Sequence, residues 1–354
     1  MKAVVKYEPG AYKTELREIP VPEIGEDDVL LEVKAAALCG SDVGFDAGTH
    51  TGGLHCPVVL GHEFSGVIAS VGKNVKNWKV GDRVVSDNTG KVCGTCYSCE
   101  TAEYLLCPER LGLGYGMDGG FTKYVRIPGE TIQVFPGCLF KIPECMSFEE
   151  AALMDPVCNA YRAVVQDGQI KAGETVAVFG VGPIGLFCIQ VARAAGASKI
   201  IAIGLKADES ALELAKKFGA THTFMSDVDE NIVEKVTEIS GGDGVDLSVD
   251  AAGAPVCVKM AIEMTRPMGN LVRIAYNPAP LNFSLNRLVD KAIQLKGHFG
   301  YDWVSWKNCF ALIEAGLVDM RAVITHRMRI SQFREAIELM QSRKAVKIIL
   351  YPED

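Results

Sequence analysis

Nowhere in the 354 residues does an apolar run approach the ~18 that a membrane-spanning helix requires. A membrane partner is therefore not expected. The opening residues, Met1-Lys2-Ala3-Val4-Val5, read as a strand and lack the charged start, apolar centre and small-residue cleavage site of an export signal. Positive charge is also short: 36 Lys and Arg against 44 Asp and Glu leave a net charge of −8, the wrong sign for a polyanion such as nucleic acid. No internal repeat and no low-complexity tract is found. Cysteine is not scarce. There are 12, but Cys39, Cys56, Cys138, Cys145, Cys158, Cys188, Cys257 and Cys309 are scattered singly, which is not the pattern of a disulfide framework. A reducing, cytoplasmic setting is expected.

The remaining thiols stand as Cys93-x2-Cys96-x2-Cys99-x7-Cys107. In a reducing compartment, thiolates this close together share one tetrahedral zinc more readily than they pair, because the metal needs four soft ligands about 2.3 Å away and a compact loop supplies them. Protein fills all four positions, so water has no place on the ion. This zinc is expected to hold a loop and take no part in catalysis.

The length exceeds that of one usual core, so two domains are the default. The first third holds short β-branched runs at 28–36, 66–71, 82–86 and 121–127, bounded by Gly, Pro and Asp, and reads as β-rich. After Phe148 an Ala-rich stretch with helical spacing covers 148–165, and strand then alternates with helix. Strands are expected at 175–179, 199–203, 245–250 and 271–274, with helices at 183–195 and 208–218. Repeated strand-helix units imply an α/β fold with a doubly wound parallel sheet. The tail from Gln294 returns to a mixed pattern with a last strand at 345–350 and is expected to pack back on the first domain. The predicted division is 1–154 with 294–354 for the β-rich domain and 155–293 for the dinucleotide domain.

Gly180-Val181-Gly182-Pro183-Ile184-Gly185 lies between the first apolar strand and its helix, which is the context that gives G-x-G-x-x-G its meaning. Gly180 permits a tight turn, Gly182 lets a pyrophosphate reach the backbone, and Gly185 allows close helix packing. In the helix that opens at Pro183, the backbone N–H groups from Ile184 onward then face the phosphates. At the end of the next strand, where an NAD-specific fold carries Asp or Glu, the sequence reads Gly204-Leu205-Lys206. With no carboxylate to repel a 2′-phosphate and Lys206 to pair with it, NADP is favoured over NAD; Asp208 and Glu209 follow and keep the preference modest.

A second metal site can be assembled from Cys39 in Cys39-Gly40-Ser41-Asp42, His62 and Glu63 in Gly61-His62-Glu63, and Asp155 in Met154-Asp155-Pro156. Each alone has an ordinary reading as core, cap or surface residue; together, beside a four-thiol loop, they point to a metal.

These motifs, with Val80-Gly81-Asp82-Arg83-Val84, Gly119-Gly120-Phe121 and Asp155-Pro156, make the chain resemble the zinc-dependent medium-chain alcohol dehydrogenases. The resemblance is to the branch with sorbitol, threonine and polyol-phosphate dehydrogenases. It implies a GroES-like catalytic domain beside a Rossmann domain, two zinc ions per subunit and a homodimer or homotetramer. Cys39 and His62 are implied as ligands of a catalytic zinc, with Glu63 joining them and Asp155 completing the site. Two positions depart from the pattern: a histidine often used in proton relay falls at Gly44, and a substrate-side arginine of sorbitol dehydrogenases falls at Gly300. Ser41 is then the best hydroxyl for the substrate proton, with Phe45 as a pocket wall and His298 and Tyr301 as further lining. The expected activity is hydride transfer between NAD(P) and a small-molecule secondary alcohol or its ketone, the alcohol being a polyol, sugar alcohol or polyol phosphate. The alternatives are a threonine or amino-alcohol dehydrogenase and a non-enzymatic binding protein on the same fold.

Overall fold

Val29–Leu38 (VLLEVKAAAL) is the central strand of the β-rich part: buried and half-buried residues alternate at its start, and its last four residues are all buried. It sits in a seven-stranded sheet in the order Leu139–Lys141, Arg83–Ser86, Glu63–Val71, Val29–Leu38, Lys347–Tyr351, Ile324–Arg329, and Tyr124–Ile127 also pairs with it. Leu31, Val33, Phe64, Ile68, Phe121, Ile348 and Leu350 pack into the core of this sheet. The computed structural model describes residues 1–134 and 136–353. It divides into Met1–Asp155 with Ile324–Asp354 as one unit and Pro156–Val323 as the other.

The second unit is a six-stranded sheet, parallel throughout. Its order is His222–Met225, Lys199–Gly204, Thr175–Phe179, Val245–Asp250, Thr265–Arg273, Gln294–Gly297. In chain order this is 3-2-1-4-5-6, the doubly wound arrangement, whose direction reverses between Thr175–Phe179 and Val245–Asp250. Every residue of Thr175–Phe179 (TVAVF) is buried, as a strand covered on both faces requires.

The boundary expected at Gln294 is corrected to Ile324. Gln294–Gly297 pairs in parallel with Asn270–Arg273 and ends the six-stranded sheet, and all four of its residues are exposed. Because an edge strand of this kind buries neither face, no apolar run marks it in the sequence. The helix Trp303–Glu314 follows in the same unit and buries Ser305, Trp306 and Cys309. The single helix expected over 148–165 is also divided, into Phe148–Ala152, Met154–Tyr161 and a wider turn at Arg162–Asp167.

Candidate active site

Strand register brings three of the expected ligands to one end of the seven-stranded sheet. Ala37 stands opposite Glu63, so Cys39, just past its strand, lies at the same end as His62 and Glu63. The helix Gly40–Ala47 begins at once, and Asp42 Oδ2 accepts from the Cys39 backbone amide at 2.9 Å, which fixes that turn. One ligand atom from each of Cys39, His62 and Glu63 lies within 4.8 Å of the other two, with His62 and Glu63 buried. Ser41 Oγ is 3.4 Å from His62 Nε2.

The buried polar atoms of this cluster face charged partners: His62 Nδ1 lies 3.5 Å from Asp42 Oδ1. Lys347 Nζ lies 2.5 Å from Glu63 Oε2 with both side chains buried, so Glu63 has its countercharge beside it. Thiol, imidazole and carboxylate brought this close together are a donor set that suits zinc. The residues fit the metal. Burial opposes charge on His62, but the Asp42 carboxylate and then the Cys39 thiol raise the imidazole well above its ordinary value. Glu63 is held above the usual carboxylate range by burial, against the pull of Lys347 and with the push of Asp155.

Asp155 stands outside this trio. Its Oδ2 accepts from Asn88 Nδ2 at 2.7 Å, and its charge reaches both Glu63 and Lys347. Phe45 is buried, with its ring 5.8 Å from that of Tyr115. His298 and Tyr301 belong to the other unit. His298 Nδ1 is 2.7 Å from Asp167 Oδ2, and Tyr301 packs edge-on against Trp306 with centroids 5.5 Å apart, so both have packing partners there.

The four-cysteine loop gathers its sulfurs within 4.8 Å of one another. Cys93 Sγ is 3.6 Å from Cys107 Sγ and 4.0 Å from Cys99 Sγ. These separations bracket the ~3.8 Å edge of a tetrahedron with 2.3 Å zinc–sulfur bonds and far exceed a disulfide. The backbone amide of Thr95 leads the contacts that lower the Cys93 thiol to about 6. From this loop Tyr104 Oη donates to Asp87 Oδ2 at 3.0 Å, and Arg110 donates to Asn88 Oδ1, so the loop holds the turn that in turn holds Asp155.

Asp87 is wholly buried, and burial pushes its carboxyl up to about 6 against the bonds from Thr89 and Tyr104. Since an unfolded aspartate titrates near ~3.9, the folded chain binds the extra proton between the two values. The stability this group contributes is present below about pH 4 and is lost as pH rises through about 6. Asp87→Asn removes that dependence. The stability difference, variant minus wild type, is expected to rise by on the order of 2 kcal/mol from pH 4 to pH 7. Urea unfolding at the two pH values measures it, and equal differences at both would show that Asp87 does not titrate in that range.

In the parallel unit, Gly180 has φ of +90°, and a Cβ at Gly185 would lie 1.9 Å from Gly180 O. At Gly182 a Cβ meets nothing within 4 Å, and the helix Pro183–Ala194 starts there with proline in its first turn. These are the turn, close-packing and open-approach roles of a dinucleotide-binding loop. At the neighbouring strand end, the Leu205 amide donates to Asp208 Oδ2 at 3.0 Å and the Lys206 amide to Asp227 Oδ1 at 2.7 Å. A Cβ at Gly204 would lie 3.0 Å from Val181 Cγ2. Asp208 and, from outside the sequence motif, Asp227 thus hold the turn after Gly204 through its backbone amides.

Residues 25–137 match the alcohol dehydrogenase GroES-like domain and residues 183–315 the zinc-binding dehydrogenase family. Over 356 residues the chain is 40% identical to the uncharacterized zinc-type alcohol dehydrogenase-like protein YdjL of Escherichia coli (strain K12), covering 99% of this chain and 98% of that one. The chain belongs to the zinc-dependent alcohol dehydrogenase family. This dehydrogenase is also 37% identical over 357 residues to the L-threonine 3-dehydrogenase of Bacillus velezensis (strain DSM 23117 / BGSC 10A6 / LMG 26770 / FZB42), with 99% of each chain covered. It superposes on galactitol-1-phosphate dehydrogenase from Escherichia coli with a TM-score of 0.87 at 27% identity, covering 99% of this chain and 100% of that one. It is an oxidoreductase.

Several residues of the dehydrogenase site escaped the sequence motifs. Lys347 is a lone charge in an apolar strand (KIILY), and that isolation is the one signal that marks it. Asn88, Asp87 and Arg110 carry no such signal, because their pairing depends on where the cysteine loop folds.

Proposed function

We propose that this dehydrogenase transfers a hydride between NADP, in preference to NAD, and a secondary alcohol of the polyol, sugar-alcohol or polyol-phosphate class. The observation that carries the reading is the cluster of Cys39, His62 and Glu63, whose ligand atoms lie within 4.8 Å of one another with His62 and Glu63 buried. Relatives named for L-threonine and galactitol 1-phosphate support a secondary hydroxyl flanked by a second polar group. Zinc held by Cys39, His62 and Glu63 supplies a Lewis acid that lowers the pKa of an alcohol hydroxyl, and the nicotinamide accepts the hydride.

The chain's own residues do the rest. Ser41, whose Oγ lies 3.4 Å from His62 Nε2, takes the hydrogen bond of the substrate hydroxyl, and buried Phe45 forms an apolar wall. Lys347 balances Glu63, and Asn88 keeps Asp155 behind it. Cys93, Cys96, Cys99 and Cys107 hold a second, structural zinc. Among the described residues no disulfide joins any of the twelve cysteines, which supports a reducing cytoplasm. The exposed edge strand Gln294–Gly297, with exposed Leu295, Leu285 and Val289 nearby in the chain, supports a homodimer or homotetramer. A panel of sugar alcohols, their phosphates, hydroxy acids and amino alcohols with both cofactors tests the function. Turnover of polyols or their phosphates is expected, and reduction of neither cofactor by any alcohol would overturn the reading.

The cofactor preference has its own test. Lys206→Ala is expected to weaken NADP by about tenfold or less while sparing NAD, since an exposed pair contributes on the order of 1 kcal/mol. Gly204→Asp is expected to turn preference toward NAD, though Val181 must yield to admit its Cβ. Michaelis constants for both cofactors decide it: equal effects of Lys206→Ala on the two would remove the phosphate contact, and a strong wild-type preference for NAD would remove the NADP assignment.

A further inference from the structure

Tyr115 belongs to no motif, and its place is set by the turn around it. The amides of Gly116 and Met117 both donate to Gly112 O, at 2.8 and 2.9 Å, which folds the chain back on itself. A Cβ at Gly112 would lie 2.1 Å from Tyr115 Cζ, so glycine at 112 is what leaves room for the phenol. The same turn rests on the strand end that carries His62. A Cβ at Gly114 would lie 2.7 Å from the His62 amide nitrogen, and the Gly120 amide donates to Gly61 O at 2.7 Å. The Tyr115 ring thereby meets the His62 ring edge-on, with centroids 6.0 Å apart, and stacks on Phe45 at 5.8 Å.

Phe45 is 2% exposed, whereas Tyr115 is half-buried. The open surface of this stacked pair therefore belongs to Tyr115, and Phe45 backs it. The phenol is also fixed at its far end. Arg110 donates from Nη1 to Tyr115 Oη and from Nη2 to Asn88 Oδ1, and Asn88 Nδ2 donates in turn to Asp155 Oδ2 at 2.7 Å. A guanidinium only donates, so the phenol oxygen is the acceptor. Its planar fork holds two partners at a set angle, which a lysine ammonium does not do. Arg110 is itself set by the cysteine loop, its amide donating to Cys107 O at 3.0 Å.

An alcohol site needs a wall that sets one hydroxyl in place and turns away alcohols of the wrong width. Displacing such a wall by about 1 Å costs up to ~10²-fold in rate. We propose, on the functional reading above, that Tyr115 is the specificity-determining wall of the substrate site and Arg110 the positioning residue that holds it. The cysteine loop then acts on the substrate through Arg110 and Tyr115, as it acts on Asp155 through Arg110 and Asn88. With its ring held at both ends, Tyr115 admits the narrow carbon chain of a polyol or polyol phosphate and disfavours branched or aromatic carbinols.

The experiment uses the zinc-loaded enzyme with the best alcohol of the panel and, as a wide competitor, α-methylbenzyl alcohol. Tyr115→Ala is expected to raise kcat/KM for the wide alcohol relative to the panel alcohol by about tenfold or more, with zinc content and the Michaelis constant of the cofactor unchanged. Tyr115→Phe keeps the ring and frees its end, and should raise the KM of the panel alcohol by about threefold to tenfold. Arg110→Met should raise that KM at least as much. The double variant should be no worse than Arg110→Met alone, because both changes remove the same contact. A Tyr115→Ala whose preference between the two alcohols stays within about twofold of wild type would overturn the wall. Additive effects of Tyr115→Phe and Arg110→Met on KM would overturn Arg110 as its holder. If Arg110→Met does not fold, Tyr115→Phe decides that point by itself, since an unchanged KM would remove the link to Arg110. A wild type that oxidises no alcohol at all would remove the proposed function, a result separate from any of these.

Discussion

Cys39→Ser is expected to leave a folded protein that has lost one zinc per subunit and at least about 10³-fold of its activity, several kcal/mol of Lewis-acid stabilisation being withdrawn at once. The fold should survive because Cys39 is only half-buried, and the helix after it keeps the Asp42 carboxylate on the residue 39 amide. Elemental analysis with a parallel rate measurement reads both effects. A metal-free wild type that is nevertheless active would sink the assignment of Cys39, His62 and Glu63 as the catalytic metal site.

Cys99→Ser is expected to do the reverse, removing the other zinc and lowering stability while leaving the catalytic metal. Binding at such sites is coupled to folding of the loop that carries them. With a loss on the order of 4 kcal/mol, the melting temperature should fall by roughly 10 °C. The damage should not stop at the loop. Tyr104 and Arg110 lie in or just beyond it and hold Asp87 and Asn88, and Asn88 holds Asp155. A modest fall in kcat is therefore expected with zinc still on Cys39, His62 and Glu63. Zinc content and melting temperature both unchanged would mean that the cysteine loop binds no metal.

Much of this protein was legible before any fold was known, and for local reasons. Four thiols in one short loop need little tertiary information to come together, because closing so short a loop costs little entropy. The glycines at 180, 182 and 185 act within a single strand-helix turn, so their spacing carries their role: a Cβ at Gly185 would collide with Gly180 itself. Long buried strands such as Thr175–Phe179 are marked by their apolar content. The edge strand Gln294–Gly297 is not, and with it the domain boundary at Ile324 was hidden.

What the tertiary structure alone decided is which distant residues meet. Register across the seven-stranded sheet sets Ala37 against Glu63 and Leu38 against Ile348, and only that pairing puts Lys347 on Glu63 at the end of a strand more than 280 positions away. A turn at Gly48 brought His50 against Gly44, where a side chain at position 44 would collide with it. The cysteine loop, folded back on Asp87 and Asn88, sets where Asp155 stands through the hydrogen bond it accepts from Asn88. The sequence by itself determined the residue chemistry, the thiol loop and the dinucleotide turn, since each is set by short-range spacing. The fold decided the partners of every buried charge, because a side chain's neighbour in a sheet or a returning loop is fixed by register and close packing, neither of which is written in consecutive residues.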